Sequence, residues 1–224
     1  TVEDFYLQVS MLAGERMQKK ENTLIFIDEI QAYPHLLTLL KFLSQDDKFT
    51  YVASGSLLGV TLAKTTSIPI GSIRKVRMFP LDFEEFLWAN GNDTMMDFIR
   101  DCYRKKAPLG QALHRKAMDL FRQYLIVGGM PQAVNAFVKH NDFDEVDRVK
   151  RRILNLYRDD IRKHAKGYEM KVEAIYDEIP SQMKNQNQHF KLSSLKQGAR
   201  FDEYKDAIFW LSDAMIVNHC YNAT

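Results

Sequence analysis

Cysteine is scarce. The 224 residues hold two, Cys102 and Cys220, far apart in the chain. Two cannot build a disulfide framework, so a small disulfide-stapled secreted scaffold is excluded and a reducing, cytoplasmic setting is the expectation. Long apolar runs are also missing. None approaches the roughly 18 residues of a membrane span, so neither a transmembrane helix nor a membrane partner is expected; mean hydropathy is -0.34. Neither sign of charge dominates: 31 Lys and Arg stand against 29 Asp and Glu, a formal net charge of +2. That balance excludes nucleic-acid binding by bulk charge alone and leaves room for a local basic face. His114, His140, His164, His189 and His219 show no His-x-His or His-x-x-x-His spacing, and His35 stands alone after Pro34. Zinc is therefore not expected. Gly-x-Ser-x-Gly is absent, so Ser54-Gly55-Ser56 is not a nucleophile elbow. Cys102 has no triad-like histidine and reads as a buried thiol. The first residues show no basic segment leading into an apolar one, so they are not expected to be a signal peptide.

What is present is ordinary globular composition, 46% hydrophobic and 27% charged, enough for one large domain or two small ones. Phe5, Val9, Leu12 and Met17 sit near helical spacing and predict a helix over 2–18. Leu24-Ile25-Phe26-Ile27 is apolar on both faces, the pattern of a buried parallel strand. A helix is expected after Pro34, carrying Leu36, Leu37, Leu39, Leu40 and Leu43. Thr50-Tyr51-Val52-Ala53 reads as a second strand, 56–63 as a short helix, and Val76-Arg77-Met78-Phe79 as a third strand ended by Pro80. This alternation predicts an α/β parallel sheet.

After Pro80 the pattern turns helical, with Phe83, Phe86 and Leu87 first and then 94–104, 110–126, 131–139 and 142–166. Phe79, Phe83, Phe86 and Trp88 are at packing spacing and read as core. The last of these helices carries an apolar stripe of Val146, Val149, Ile153, Leu156, Tyr157 and Ile161. Its polar face mixes arginines and lysines with Asp144, Asp147, Asp159 and Asp160, which predicts a solvated, salt-bridged surface. From 168 onward the order reads helix, polar linker (185–189), short strand (190–192), a short helix capped by Ser193 and ending at Gly198, helix (201–214) and strand (215–219). That is the order of a winged helix-turn-helix without its wing. Its third helix starts with Asp202, Glu203, Lys205 and Asp206, too acidic to meet a DNA backbone. The expected use is packing or contact with a protein partner, with DNA second.

The motif that carries chemistry is Leu24 to Gln31. Four apolar residues bury a strand, and Asp28 and Glu29 emerge at its C-terminal end, where open α/β sheets place ligands. In a P-loop NTPase the first carboxylate helps hold Mg²⁺, which keeps most of its waters, and the second polarises the attacking water. Ser54, at the tip of the next strand, is placed to contact a γ-phosphate or orient that water. Read structurally, Asp28-Glu29 simply closes a strand and Ser54 caps a helix.

Four segments together carry a resemblance. They are Leu-Ile-Phe-Ile-Asp-Glu-Ile-Gln (24–31), Tyr-Val-Ala-Ser-Gly-Ser-Leu-Leu-Gly (51–59), Met-Phe-Pro-Leu-Asp-Phe-Glu-Glu-Phe-Leu (78–87) and Val-Gly-Gly-Met-Pro-Gln-Ala-Val (127–134). In this order they resemble the bacterial and archaeal AAA-type ATPases whose core is followed by a helical lid, a winged helix and a C-terminal nuclease-like domain of unknown function. The resemblance implies a partial P-loop core at 1–90, a helical lid at 91–167 and a truncated winged-helix-like part at 168–224. It implies ATP and Mg²⁺ as cofactors, Asp28 on the metal, Glu29 as catalytic base, Ser54 as sensor, and Arg74 or Arg77 near the γ-phosphate. It admits an oligomer, since an arginine can be supplied from a neighbouring copy. Gly128-Gly129-Met130-Pro131 would be the turn into a lid helix, structural first.

None of the ten glycines is followed by lysine. The chain therefore lacks Gly-x-x-x-x-Gly-Lys-Ser/Thr, whose backbone N–H groups and lysine hold the phosphates. In the family this loop lies upstream. The chain begins at Thr1 rather than Met and runs toward its end through an apparent strand, so a piece of a longer protein is expected. By itself it should bind ATP poorly and not turn it over; a micromolar isotherm in an ATP titration by calorimetry would overturn that. The alternative reading is a degenerate ATPase scaffold that binds nucleic acid or protein through its helical and winged-helix parts.

Overall fold

The computed structural model describes residues 1–14, 20–55, 74–184, 189–218 and 220. The predicted helix at 56–63, the end of the helix predicted at 2–18 and most of the polar linker at 185–189 lie outside the described residues, as do Met17 and His219. The architecture is a mostly helical α/β fold with a small parallel sheet, consistent with a partial P-loop fold. Two compact units divide it, Thr1–Val76 with His164–Thr224, and Arg77–Lys163.

In the first unit, Thr1 and Asp4 form a capping box that starts α1 (Val2–Ala13). Strand β1 (Leu24–Ile27) is followed by a 3-10 turn at Ile30–Ala32 and by α2 (Pro34–Asp46), with Pro34 in its first turn. Strand β2 (Thr50–Ala53) lies parallel to β1 with Leu24 opposite Thr50 and Ile27 opposite Ala53. Ile30, Leu37, Leu40 and Leu43 are buried against Val2, Phe5 and Tyr6 of α1 and against Ile27, Tyr51 and Ala53 of the sheet. The strands are half-buried rather than fully buried: Ile25, Ile27, Tyr51 and Ala53 face this core, while Leu24 and Phe26 are 60% and 57% exposed. The cause is that α1 and α2 supply apolar partners to one face of the sheet.

A polar link ties α1 to the far end of this layer. The Tyr6 hydroxyl donates to Asp46 Oδ2 at 2.8 Å and lies 2.6 Å from the Tyr51 hydroxyl, which donates to it in turn. Lys48 Nζ stands 4.3 Å from the centre of the Tyr6 ring. Burial, followed by these hydrogen bonds and the nearby Asp46 carboxylate, pushes the Tyr6 phenol well above its ordinary range; burial raises Tyr51 too. A raised folded-state pKa means that stability is present below about pH 10 and is lost as pH rises above it, where the unfolded phenols ionise first. Thermal melts should show the wild type losing stability more steeply than Tyr6→Phe above about pH 10. At neutral pH that variant should be about 1 kcal/mol less stable.

In the second unit, Asp82 and Glu85 form another capping box, at the start of α3 (Phe83–Ala89). Helices α4 (Met95–Lys105), α5 (Gln111–Val127), α6 (Pro131–His140) and α7 (Phe143–His164) follow. Phe86 is fully buried with Val127, Val134, Phe137 and Val146, its ring 6.0 Å from that of Phe137. The glycine pair closes this core. Gly128 ends α5 at φ 76°, Leu81 N donates to Gly129 O at 2.7 Å, and the Tyr124 hydroxyl donates to Leu81 O at 3.0 Å.

Residues 74–80 form no strand; all are exposed, with Phe79 60% accessible. Pro80 has no N–H for a ladder, and the next N–H, of Leu81, is spent on Gly129. Of the four aromatics predicted as core, Phe86 is buried and Phe83 packs beside it, but Phe79 and Trp88 are exposed. Cys102 is half-buried rather than buried. On α7, Val146, Val149 and Ile161 are buried and Leu156 is exposed. Its polar face is laced with Arg148–Glu145, Arg151–Asp147 and Arg162–Asp159 pairs.

In the C-terminal segment, α8 (Glu169–Lys184) buries Val172, Ile175 and Tyr176, and α9 (Phe201–Asp213) buries Tyr204, Ala207, Trp210 and Leu211. Between them lies a 3-10 turn at Leu192–Ser194, where a strand and a short helix were expected. The buried Gln182 amide explains the missing strand: Lys191 N donates to Gln182 Oε1 at 2.6 Å, and Gln182 Nε2 donates to Lys191 O at 3.0 Å. A side chain takes the bonds that a neighbouring strand would have made. Residues 215–217 are turn and bend and 218 is irregular, not strand. The described residues thus form a helix, a 3-10 turn and a helix, without the strands of a winged helix.

Candidate functional site

The parallel register sets the site. Ile27 lies opposite Ala53, so the chain leaves both strands side by side, at Asp28 and Ser54. Backbone bonds continue past the strand ends: Ser54 N donates to Ile27 O at 2.9 Å, and Ile30 N donates to Ser54 O at 3.0 Å. The Ser54 hydroxyl donates to Asp28 Oδ1, which also accepts the Glu29 N–H at 3.0 Å. One carboxylate oxygen is thereby oriented by both strand tips.

Glu29 has a left-handed backbone, φ 52° and ψ 42°. For a residue with a Cβ this costs about 1–2 kcal/mol. The turn delivers Ile30 into the core at 0% exposure and keeps the Glu29 carboxylate at the exposed C-terminal edge of the sheet. Gln31 Nε2 donates to Glu29 Oε2. Gln31 closes the motif in sequence, and nothing in a two-residue spacing marks an amide that folds back across a 3-10 turn.

The structure therefore brings together Asp28, Glu29 and Ser54, and adds Gln31. Arg74 and Arg77 are exposed in the segment without regular structure. No hydrogen bond or ion pair among the described residues joins Arg74 to the group, and Arg77 belongs to the other unit.

The donor chemistry fits Mg²⁺. That ion keeps several waters and takes one or two carboxylates, and Asp28 is an exposed carboxylate fixed through one of its oxygens. Among the described residues there is no cluster of three or more His, Cys, Asp or Glu side chains of the kind a protein-enclosed transition metal uses. No helix among them is long and apolar enough to cross a membrane.

The C-terminal edge of this parallel β-α-β layer, where open α/β sheets place ligands, carries two carboxylates and a hydroxyl. Residues 2–87 match a protein family described as an AAA domain, which supports an AAA-type P-loop family for this part. Residues 118–224 match a domain of unknown function (DUF8612), whose span runs from within α5 through the C-terminal segment. Neither a curated protein nor a solved structure matches the chain.

Proposed function

We propose that this chain carries the hydrolytic half of an AAA-type ATP site and couples Mg-ATP hydrolysis to a conformational switch. The observation that carries the reading is the Ser54–Asp28 hydrogen bond, which locks the tips of two parallel strands together beside Glu29. In this reading Asp28 holds Mg²⁺ through its waters. The ion, when bound, supplies charge to the phosphate oxygens. Glu29 accepts the proton of the attacking water. Ser54 keeps the Asp28 carboxylate aimed and offers its hydroxyl to the γ-phosphate or the water. Gln31 holds Glu29 in one orientation. Arg74 and Arg77 are the candidates for a cation at the γ-phosphate. The expected core of 1–90 is cut back to 1–76, since Phe83–Ala89 packs within the helical unit Arg77–Lys163, which acts as the lid; the helical C-terminal part takes a protein partner rather than DNA.

The test is Ser54→Ala in a protein that joins this chain to a phosphate-binding loop. Loss of one oriented hydrogen bond in the transition state should lower kcat by about tenfold or more, with nucleotide affinity changed by less. An unchanged kcat would remove Ser54 from the site.

A further inference from the structure

Each carboxylate of the site is committed through one oxygen. Asp28 Oδ1 accepts the Ser54 hydroxyl and the Glu29 N–H. Glu29 Oε2 accepts the Gln31 side-chain amide. Among the described residues nothing donates to Asp28 Oδ2 or Glu29 Oε1. Asp28 is therefore oriented from a strand tip and from the backbone. Glu29 has a single tether, and it comes from a side chain two residues on.

The two ends of that tether are held unequally. Glu29 is exposed, and its long side chain has rotamer freedom to lose. Gln31 is half-buried, with Oε1 shielded from solvent. It lies in the middle of the 3-10 turn Ile30–Ala32, directly after the fully buried Ile30. Ala32 N donates to Glu29 O at 2.9 Å, Tyr33 N to Ile30 O at 2.9 Å, and Ile30 N to Ser54 O at 3.0 Å. Gln31 is thus the anchor and Glu29 the group that is held. A carboxylate only accepts, so an amide that faces it presents its N–H. A hydrogen bond to an ionised acceptor is roughly twice as strong as a neutral one. Without it an exposed glutamate spreads over several rotamers, and only some of them aim at one water.

Given Glu29 as the base, the reading on which this rests, we propose that Gln31 is its positioning residue. The amide takes Oε2, holds the side chain in one orientation and leaves Oε1 to face the attacking water. Reach is part of the device. The glutamine amide spans the turn, and asparagine, one methylene shorter, falls short of the carboxylate.

Two measurements test this. The first uses the 224-residue chain and its proton–nitrogen correlation spectrum. The Gln31 side-chain amide is the pair of signals lost in Gln31→Met. Glu29→Ala should move that pair upfield and speed its exchange with water. The second uses a protein that joins this chain to a phosphate-binding loop. There Gln31→Met should lower kcat by about tenfold while KM for Mg-ATP changes by less than about twofold. Gln31→Asn should match it. In a Glu29→Gln background Gln31→Met should lower kcat no further, an outcome that a role in the fold alone does not give. Circular dichroism confirms that each variant folds, and Gln31→Asn takes the place of Gln31→Met throughout if the latter does not. Turnover of Glu29→Gln within a few-fold of wild type would remove the base reading and Gln31 with it. An inactive Glu29→Gln beside a Gln31→Met kcat within about twofold of wild type would remove Gln31 and leave the base standing. The proposal also fails if the Gln31 amide signals ignore Glu29→Ala, or if Gln31→Met lowers kcat equally in both backgrounds.

Discussion

Gly129→Ala is expected to cost the helical unit Arg77–Lys163 about 3–5 kcal/mol, a large part of the 5–15 kcal/mol of a typical domain. A Cβ at this position would stand 2.0 Å from Leu81 O and 3.0 Å from Leu81 C and N. All three are backbone atoms, so no side chain can swing aside. Nor can the two strands of chain separate freely, because Leu81 N donates to Gly129 O and the Tyr124 hydroxyl donates to Leu81 O. The methyl group must break both bonds and push apart the entry to α3 and the turn into α6. Phe86, Val127 and Val134 pack immediately beyond them. Urea unfolding followed by circular dichroism measures the loss. Tyr124→Phe removes one bond without adding bulk and should cost about 1 kcal/mol. Similar values for the two variants would show that close approach is not what glycine provides here.

Glu29→Gln is expected to lower ATP turnover by about 10²–10⁴-fold in a protein that joins this chain to a phosphate-binding loop, with Mg-ATP binding retained. Glutamine preserves size and can still accept the Gln31 hydrogen bond, but it cannot take a proton from water. The left-handed backbone at this position is unchanged by the substitution, so its conformational cost is the same in both proteins. Thermal stability should therefore stay within about 0.5 kcal/mol of wild type. This separates loss of a base from loss of fold. Turnover within a few-fold of wild type would assign the proton to another group and leave Glu29 as a strained turn residue. Strain at a carboxylate on the C-terminal edge of a sheet is the kind that structures retain where position matters.

The two predictions differ in how visible their basis is in the sequence. Asp28 and Glu29 are legible because a short apolar run followed by two carboxylates is a local pattern, and local patterns need no partner. The Ser54 candidate came from the same logic, a strand followed by a small polar residue. The helices of the second unit are legible to within a residue or two, since i to i+4 bonds and apolar stripes lie within one segment. Asp82 with Glu85 and Pro34 and Pro131 at helix starts are likewise local signals.

The failures share a cause. Val76 to Phe79 and Phe190 to Leu192 have the composition of strands, but a strand exists only when another segment offers a ladder. No described strand pairs with Val76 to Phe79, and at Phe190 to Leu192 the Lys191 backbone is taken by a glutamine side chain. Burial of Phe86 and exposure of Phe79 and Trp88 cannot be told apart by spacing, since each is aromatic and only the position of α6 and α7 decides which meets a core.

By itself, then, the amino-acid order determined the long helices, the two short strands and the carboxylate pair, because propensity, periodicity and capping act within a few residues. Tertiary structure alone decided that Ser54 meets Asp28, that Gln31 folds onto Glu29, and that Leu81 lies against Gly129. Each of those depends on strand register or on a close backbone approach between residues distant in the chain, and their free energy appears only once both segments are in place.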